Sequence, residues 1–323
     1  MYDADTFLQF LTAERRLSPN TLAAYRNDLR QFEEYLAIRQ HDPLGNGSTN
    51  GTATLAPADP ANASREMVAG FFLSLREDKG YSAATIARKM AAVKSMFHYL
   101  VRQGAVTTNP TADLGSPEVK KPLPRAISVG DIDRLMRQAD KKITPEGLRD
   151  RAMLHLLYAT GMRVTELVTL DLSDLDFEKS AVRCVGRGLR VRYLPVDAKA
   201  LVVLRDYLER GRPQLLRPGS PTAALFLNHR GQRLTRQGFW LIMKAVARES
   251  GVTDDVTPHT LRHSFAAHRL SDGLTLPKLR ELLGHANIST TQIYTQVKTD
   301  TPRPLVAAPP AHPRLVAVGG RRG

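Results

Sequence analysis

His259-Thr260-Leu261-Arg262, continued by Leu283-Gly284-His285 and, nine residues later, by Tyr294, carries more chemistry than any other part of this 323-residue chain. His259 and Arg262 stand at positions i and i+3, so a helix over them puts both on one face, a turn apart. Leu283-Gly284 reads as a helix ended by glycine, which hands the chain to His285. A short helix opening near Ser289 then carries the phenol of Tyr294. Upstream, Ala159-Thr160-Gly161-Met162-Arg163-Val164-Thr165-Glu166-Leu167 adds a second guanidinium, Arg163. Guanidiniums, imidazoles and a phenol are the parts of a phosphoryl-transfer site that needs no metal: forks for phosphate oxygens, proton carriers and a nucleophile.

Working outward, charge supports that chemistry. The chain carries a formal net charge of +14, unevenly spread. Residues 1–115 hold 12 Lys/Arg against 12 Asp/Glu, residues 116–300 hold 30 against 20, and residues 301–323 hold four arginines and no acid. A basic second half is the footprint of a polyanionic partner. Arginine outnumbers lysine 34 to 12, a bias that gene composition explains as readily as function does. Cys184 is the only cysteine, which excludes a disulfide framework and fits a reducing compartment. No apolar run approaches the roughly 18 residues of a membrane span. The acidic start opens directly into a helix pattern rather than a secretory signal, and a cytoplasmic protein is expected.

Periodicity predicts a helical first domain over residues 1–115. Phe7, Leu8, Phe10 and Leu11 recur at helical spacing; Ser18-Pro19 starts a second helix striped by Leu22, Tyr25, Leu29, Phe32 and Leu36. Residues 43–63 hold small residues and proline with one charge, Asp59, and predict a mobile insertion. A third helix runs from Ser64 through Phe71 and Leu75 towards Gly80. A fourth runs from Ser82 through Ile86, Met90, Val93 and Phe97 to Gly104. Prolines and lysines over 116–124 predict a linker, and residues 125–300 a second, mixed domain. In it Ser128-Val129-Gly130-Asp131 resembles a capping box with aspartate in place of glutamate, and a helix crosses Arg149–Ala159. Val182, Cys184 and Val185, then Val191, Tyr193 and Leu194, flank Gly186-Arg187-Gly188 as a hairpin; Leu225-Phe226-Leu227 predicts a further short strand. After Thr235 the chain is helical until proline breaks it, and 301–323 is a proline- and arginine-containing tail.

The order Arg…His-x-x-Arg…His…Tyr resembles the tyrosine recombinases of the phage-integrase family, and within it the Xer site-specific recombinases. Leu17-Ser18-Pro19-Asn20-Thr21…Tyr25…Asp28-Leu29…Phe32 and Thr85-Ile86-Ala87-Arg88-Lys89-Met90…Phe97 are similar to that family's core-binding domain. The resemblance covers roughly residues 5–300. It implies a mainly α fold with a small β-sheet: an N-terminal helical, SAM-like core-binding domain and a C-terminal α+β catalytic domain. It further implies site-specific cleavage and rejoining of DNA through a 3′-phosphotyrosyl bond and a Holliday junction, with no cofactor and no metal.

By this resemblance Tyr294 is the nucleophile, Arg163 and Arg262 clamp the scissile phosphate, His259 assists proton transfer and His285 donates to a phosphate oxygen. Glu166, one turn after Arg163, orients that guanidinium or forms an ordinary surface pair with it. A zinc reading of His259 and His263 at i and i+4 is opposed by Arg262 beside them. His263 and His268 are expected to be structural. Arg187 departs from the pattern, because the family's hairpin tip presents a lysine that protonates the leaving 5′-oxygen. A guanidinium stays protonated and is a poor general acid.

The tail departs too. Xer proteins couple neighbouring active sites through a C-terminal helix, which Thr301-Pro302-Arg303-Pro304 would interrupt. The implied partners are double-stranded DNA with inverted-repeat half-sites, a homo- or hetero-tetramer with a related recombinase, and a cell-division DNA translocase, in chromosome-dimer resolution. No arm-binding segment is read ahead of residue 5, which points to the simple Xer arrangement. The alternatives are a mobile-element integrase and a catalytically weak DNA-binding homologue.

Overall fold

The sequence's apolar stripes become four helices in the first of two units, Met1–Lys121 and Pro122–Gly323, of a computed structural model. It describes residues 4–15, 17–41, 58–119, 126–186, 190–219, 221–252 and 255–284. Helix α1 (Ala4–Arg15) buries Phe7, Leu8 and Leu11. Helix α2 (Pro19–His41) begins where Ser18 Oγ accepts a hydrogen bond from Thr21 N at 3.2 Å. Helices α3 (Arg65–Glu77) and α4 (Ala83–Arg102) are capped by Ser64 and Ser82, whose hydroxyls accept from Met67 N and Thr85 N, each at 3.3 Å. A serine at this place satisfies an amide the helix leaves unpaired. Phe7, Leu29, Phe32, Phe71, Val93 and Phe97 share one core. Asp28, fully buried, accepts from Lys89 Nζ at 2.9 Å and from Arg88, and the ammonium of Lys89 also reaches Gln31 Oε1 at 2.8 Å. Each charge in that core is tolerable because its partner is there.

The end of the expected insertion belongs to this core. Residues 42–57 lie outside the described residues. Pro60–Asn62, however, forms a 3₁₀ turn, with Asp59 Oδ1 accepting from Ala61 N at 3.0 Å, and Pro60 and Ala63 are buried. The single charge is thus a cap, and the small apolar residues behind it suffice to dock the turn.

The second unit is built round helix α6. Helix α5 (Val129–Asp140) starts at Ser128, whose Oγ accepts from Asp131 N at 3.1 Å and donates to Asp131 Oδ2 at 2.7 Å. The shorter aspartate takes the serine hydroxyl where a glutamate of a capping box reaches back to the backbone. Helix α6 (Pro145–Thr160) opens at Thr144 and Pro145, a turn earlier than its apolar run suggests. It is buried on every side, from Leu148 and Met153 to Leu156 and Leu157, which is why its sequence shows no clean stripe. Gly161 ends it with φ +60°, the left-handed conformation that favours glycine, and helix α7 (Val164–Thr169) follows.

The sheet is antiparallel in the order β1 (Leu175–Asp176), β2 (Ala181–Val185), β3 (Val191–Pro195), with Val182 opposite Leu194 and Cys184 opposite Arg192. Helix α8 (Ala198–Asp206), a π turn at Tyr207–Gly211 and the short α9 (Arg212–Leu215) lead to the segment 222–227. The strand expected at Leu225–Leu227 forms only isolated bridges, Asp171 with Ala224 and Leu227 with Arg233. Backbone bonds link the segment to Leu170 and Leu172 on one side and to Leu234 on the other, and side chains add to them. Arg149 Nη1 donates to Leu227 O at 2.8 Å, Arg212 Nη2 to Thr222 O and Ala224 O, both at 2.8 Å, and Arg233 Nη1 to Leu170 O at 2.9 Å. Tyr207 Oη donates to Leu225 O and accepts from Leu227 N, both at 3.2 Å. Helices α10 (Arg236–Ser250), α11 (Pro258–Ser271) and α12 (Leu276–Leu283) complete the described residues. The mainly helical fold with a small sheet is the one expected from the sequence.

Candidate active site

Arg163 occupies the joint between α6 and α7, as the residue before the first helical turn. Its amide donates to Glu166 Oε2 at 2.7 Å and its Nη1 to Glu166 Oε1 at 3.1 Å. Glu166 is 6% exposed, so the surface-pair reading of Arg163 and Glu166 does not hold. A second guanidinium grips the same carboxylate: Arg192 Nη1 donates to Oε1 at 2.9 Å and Nη2 to Oε2 at 2.7 Å. Burial alone would raise the pKa of Glu166. The hydrogen bonds from Arg192 and from the Arg163 amide outweigh it and hold the carboxyl below its ordinary range.

Helix α11 supplies the next group. Thr257 caps it, with Oγ1 accepting from Thr260 N at 3.1 Å, and Pro258 fills its first position. His259 and Arg262 stand a turn apart, as their spacing predicts, but their surroundings differ. His259 is exposed, whereas Arg262 is 5% exposed. Arg262 Nη1 donates to Gly161 O at 2.5 Å and Nη2 to Leu283 O at 2.6 Å.

The end of α12 draws these arginines together. Arg192 Nε donates to Leu282 O at 2.9 Å, Arg262 Nη2 to Leu283 O, and Arg163 Nη2 to Gly284 O at 3.1 Å. Three guanidiniums thus meet three consecutive carbonyls, the groups a helix C-terminus leaves unpaired and partly negative. Gly284 has φ +63°, and a Cβ there would lie 3.2 Å from Arg192 Cζ. Glycine therefore serves both the turn and the close approach.

His259 lines an open groove with Val164, Arg236, Gln237 and Trp240, where the starts of α7, α10 and α11 face one space. Amides at helix starts and the Arg236 side chain make such a groove suitable for anions. His263, on the inner side of α11, has its ring 5.1 Å from that of His259. Burial, then the nearby His259 and Arg262, pushes its pKa down to about 4. His268 Nδ1 pairs with Tyr158 Oη at 2.8 Å, in a buried setting. Among the described residues no group of three or more His, Cys, Asp or Glu is placed to hold a metal ion, and no helix is long and apolar enough to cross a membrane.

Arg187, His285 and Tyr294 lie outside the described residues. Of the sequence-predicted set, Arg163, Arg262 and Glu166 are brought together at the end of α12, and His259 stands on the exposed side of the α11 start. Arg192 was not singled out from sequence, although a signal existed. On β3 it shares a face with the buried Leu194, two residues on, so strand alternation places it inward.

Residues 125–300 match the phage integrase family, and residues 4–52 and 52–104 match the N-terminal SAM-like domain of phage integrases. The chain belongs to the phage integrase family, the tyrosine recombinases, enzymes that cleave and rejoin DNA. Its relatives include tyrosine recombinase XerC of Herpetosiphon aurantiacus, 50% identical over 92% of this chain and 90% of the relative. XerC of Roseiflexus castenholzii is 47% identical over 98% of this chain and 95% of its own length. Tyrosine recombinase XerD of Listeria monocytogenes is 44% identical over 91% and 93%. The XerH recombinase bound to palindromic difH has the same fold, with a TM-score of 0.68 at 21% identity over 91% of this chain and 81% of that one.

Proposed function

We propose that this chain is an Xer-type site-specific recombinase that exchanges DNA strands with Arg163, Arg262, His259, His285 and Tyr294 as its catalytic groups. The observation that carries the assignment of residues is the meeting of Arg163 and Arg262 on the adjacent carbonyls Gly284 O and Leu283 O, one residue short of His285. Two guanidiniums held this way face one small region, as clamping the non-bridging oxygens of one phosphate requires. Glu166 holds Arg163 from behind. His259 borders the groove with the α7, α10 and α11 starts, where a backbone phosphate would find amides and cations.

In this reading the Tyr294 phenolate oxygen attacks the scissile phosphorus and the bond to the 5′-oxygen breaks. A 3′-phosphotyrosyl bond forms, and the 5′-oxygen leaves with a proton. A 5′-hydroxyl from the second duplex reverses the step, so the energy of the broken phosphodiester is kept and no cofactor is consumed. His259 serves the proton transfers and His285 donates to a phosphate oxygen. Arg187 binds phosphate at the hairpin tip. The substrate is duplex DNA with inverted-repeat half-sites, acted on by a tetramer of this chain or of this chain with a related recombinase. The biological task is chromosome-dimer resolution in the cytoplasm, with a cell-division DNA translocase as partner.

Arg187 favours one second reading, a homologue that binds sites and cleaves weakly. A nicked duplex separates the two, carrying the site this protein selects from a randomised pool. A covalent adduct that Tyr294→Phe abolishes, while binding stays within about threefold, supports the enzyme. Retention of the adduct in Tyr294→Phe removes the nucleophile assignment. Band shifts with no adduct in the natural chain support the binder.

A further inference from the structure

We infer that Arg192 is a positioning residue for strand cleavage: it ties the neck of the β2–β3 hairpin at Gly186, Glu166 and the end of α12 into one unit, and so holds the Arg163 guanidinium in place through Glu166. The inference rests on the catalytic reading of Arg163 given above.

Four contacts of one guanidinium carry it. Its Nη1 and Nη2 form a two-pronged pair with Glu166, the carboxylate that also holds the Arg163 amide and side chain. Its Nε donates to Leu282 O in the last turn of α12. Its Cζ lies 3.2 Å from the place a Cβ on Gly284 would take. At the hairpin neck, a Cβ on Gly186 would lie 3.2 Å from Arg192 Nη1 and 3.7 Å from Glu166 Oε1, so backbone passes directly over the ion pair. The hairpin neck at Gly186 and the end of α12 at Gly284 thus pack on one ion pair, whose carboxylate also holds Arg163.

The arrangement is built for this rather than for charge alone. The Arg192 side chain is 13% exposed and that of Glu166 is 5% exposed, so the pair is shielded from water. The planar fork spends two donors on the carboxylate and a third, at a fixed angle, on the helix end. A lysine has no such geometry: its ammonium can pair with Glu166 but does not also hold Leu282 O in a fixed plane. Loss of the link loosens three site segments at once, and displacement of about 1 Å at a reacting centre costs on the order of 10²-fold in rate.

Arg192→Lys is the primary test, because it keeps a cation beside the buried carboxylate; Arg192→Met, similar in bulk and unable to donate, is the second. Each is measured on the nicked duplex for three quantities: DNA affinity, thermal midpoint and single-turnover adduct rate at saturating DNA. The expected result for Arg192→Lys is affinity within about threefold and an adduct rate down at least about tenfold. Arg192→Met falls further in rate where it folds. The double variant Arg192→Lys/Glu166→Gln should match the slower single variant within about threefold, since both cut the same link. An Arg192→Lys adduct rate within threefold of the natural chain overturns the inference. Additive losses in the double variant, or a rate that falls only in step with affinity, overturn it also. Absence of any adduct from the natural chain marks a different failure, that of the catalytic reading itself, and removes both.

Discussion

We propose that Arg187, standing where the family's lysine is expected, limits the chemistry at the scale of one side chain. A guanidinium can hold a phosphate oxygen, but it does not yield a proton to a leaving 5′-oxygen. Arg187→Lys is therefore expected to speed cleavage, by up to the 10²–10⁴-fold typical of a placed general acid. A substrate with sulfur at the 5′-bridging position needs no such proton and should cleave well with Arg187 in place. If both proteins show the same ratio of sulfur to oxygen rates, another group supplies the proton. His263 makes a second prediction. Its folded pKa is about 4 against an ordinary 6.5, so between those values the unfolded chain binds a proton that the folded chain refuses. Stability then rises with pH across that window, is fully present above about 6.5 and is lost as pH falls towards 4. His155 and His268 are shifted in the same direction. The slope attributable to one such group is at most about 1.4 kcal/mol per pH unit. Urea midpoints between pH 7 and 4.5 should fall, and His263→Gln should flatten the fall; an unchanged slope assigns the effect elsewhere. At this scale the motif spacing made Arg163, His259 and Arg262 legible. Arg192 was hidden because its role lies in contacts with Glu166 and Leu282, which no local pattern encodes.

Elements were legible where one face is apolar and the ends are marked. Ser64 and Ser82 announced α3 and α4, and Gly186 announced the hairpin neck. Legibility failed where burial or capping came from far away. The all-round burial of α6 erased its stripe, and segment 222–227 bends after one bridge, its few backbone bonds supplemented by arginines and a tyrosine. The turn at Pro60–Asn62 was missed because its composition is that of a loop. The joint between α6 and α7 offers a prediction of its own. Gly161 has φ +60°, and a Cβ there would come within 2.2 Å of the Phe265 ring. Gly161→Ala combines a left-handed alanine, costing about 1–2 kcal/mol, with overpacking of about 1–3 kcal/mol. A denaturant midpoint lowered by that combined amount is expected. A shift under about 0.5 kcal/mol, the range of an ordinary surface change, would mean that α11 yields easily.

For the whole chain, charge is the governing quantity. The ten-charge excess over residues 116–300 and the four arginines beyond it predict binding dominated by phosphate contacts. The logarithm of the DNA association constant should fall linearly with the logarithm of salt concentration, with a slope near −0.9 for each phosphate neutralised. Filter binding between about 50 and 200 mM salt measures it, and six contacts or more would cost roughly 10³-fold over that range. A flat response would remove the polyanion as principal partner. Composition made the partner class legible; the site sequence is not, because base readout depends on which side chains meet which base edges.

The arginines at 149, 212 and 233 make the chain's preference for that residue partly irreversible. Arginines at exposed positions, such as Arg65, Arg76 and Arg248, can drift to lysine and back with little consequence, since an exposed cation is served by either. At 149 and 212 the fork serves carbonyls of the buried segment 222–227, and at 233 it spans Val168 O and Leu170 O; an ammonium bonded at one point cannot keep all of these bonds. A lineage shifting towards lysine codons would recolour the surface of this protein and stall at its interior. These three arginines should outlast any change in the composition of the genome that carries them.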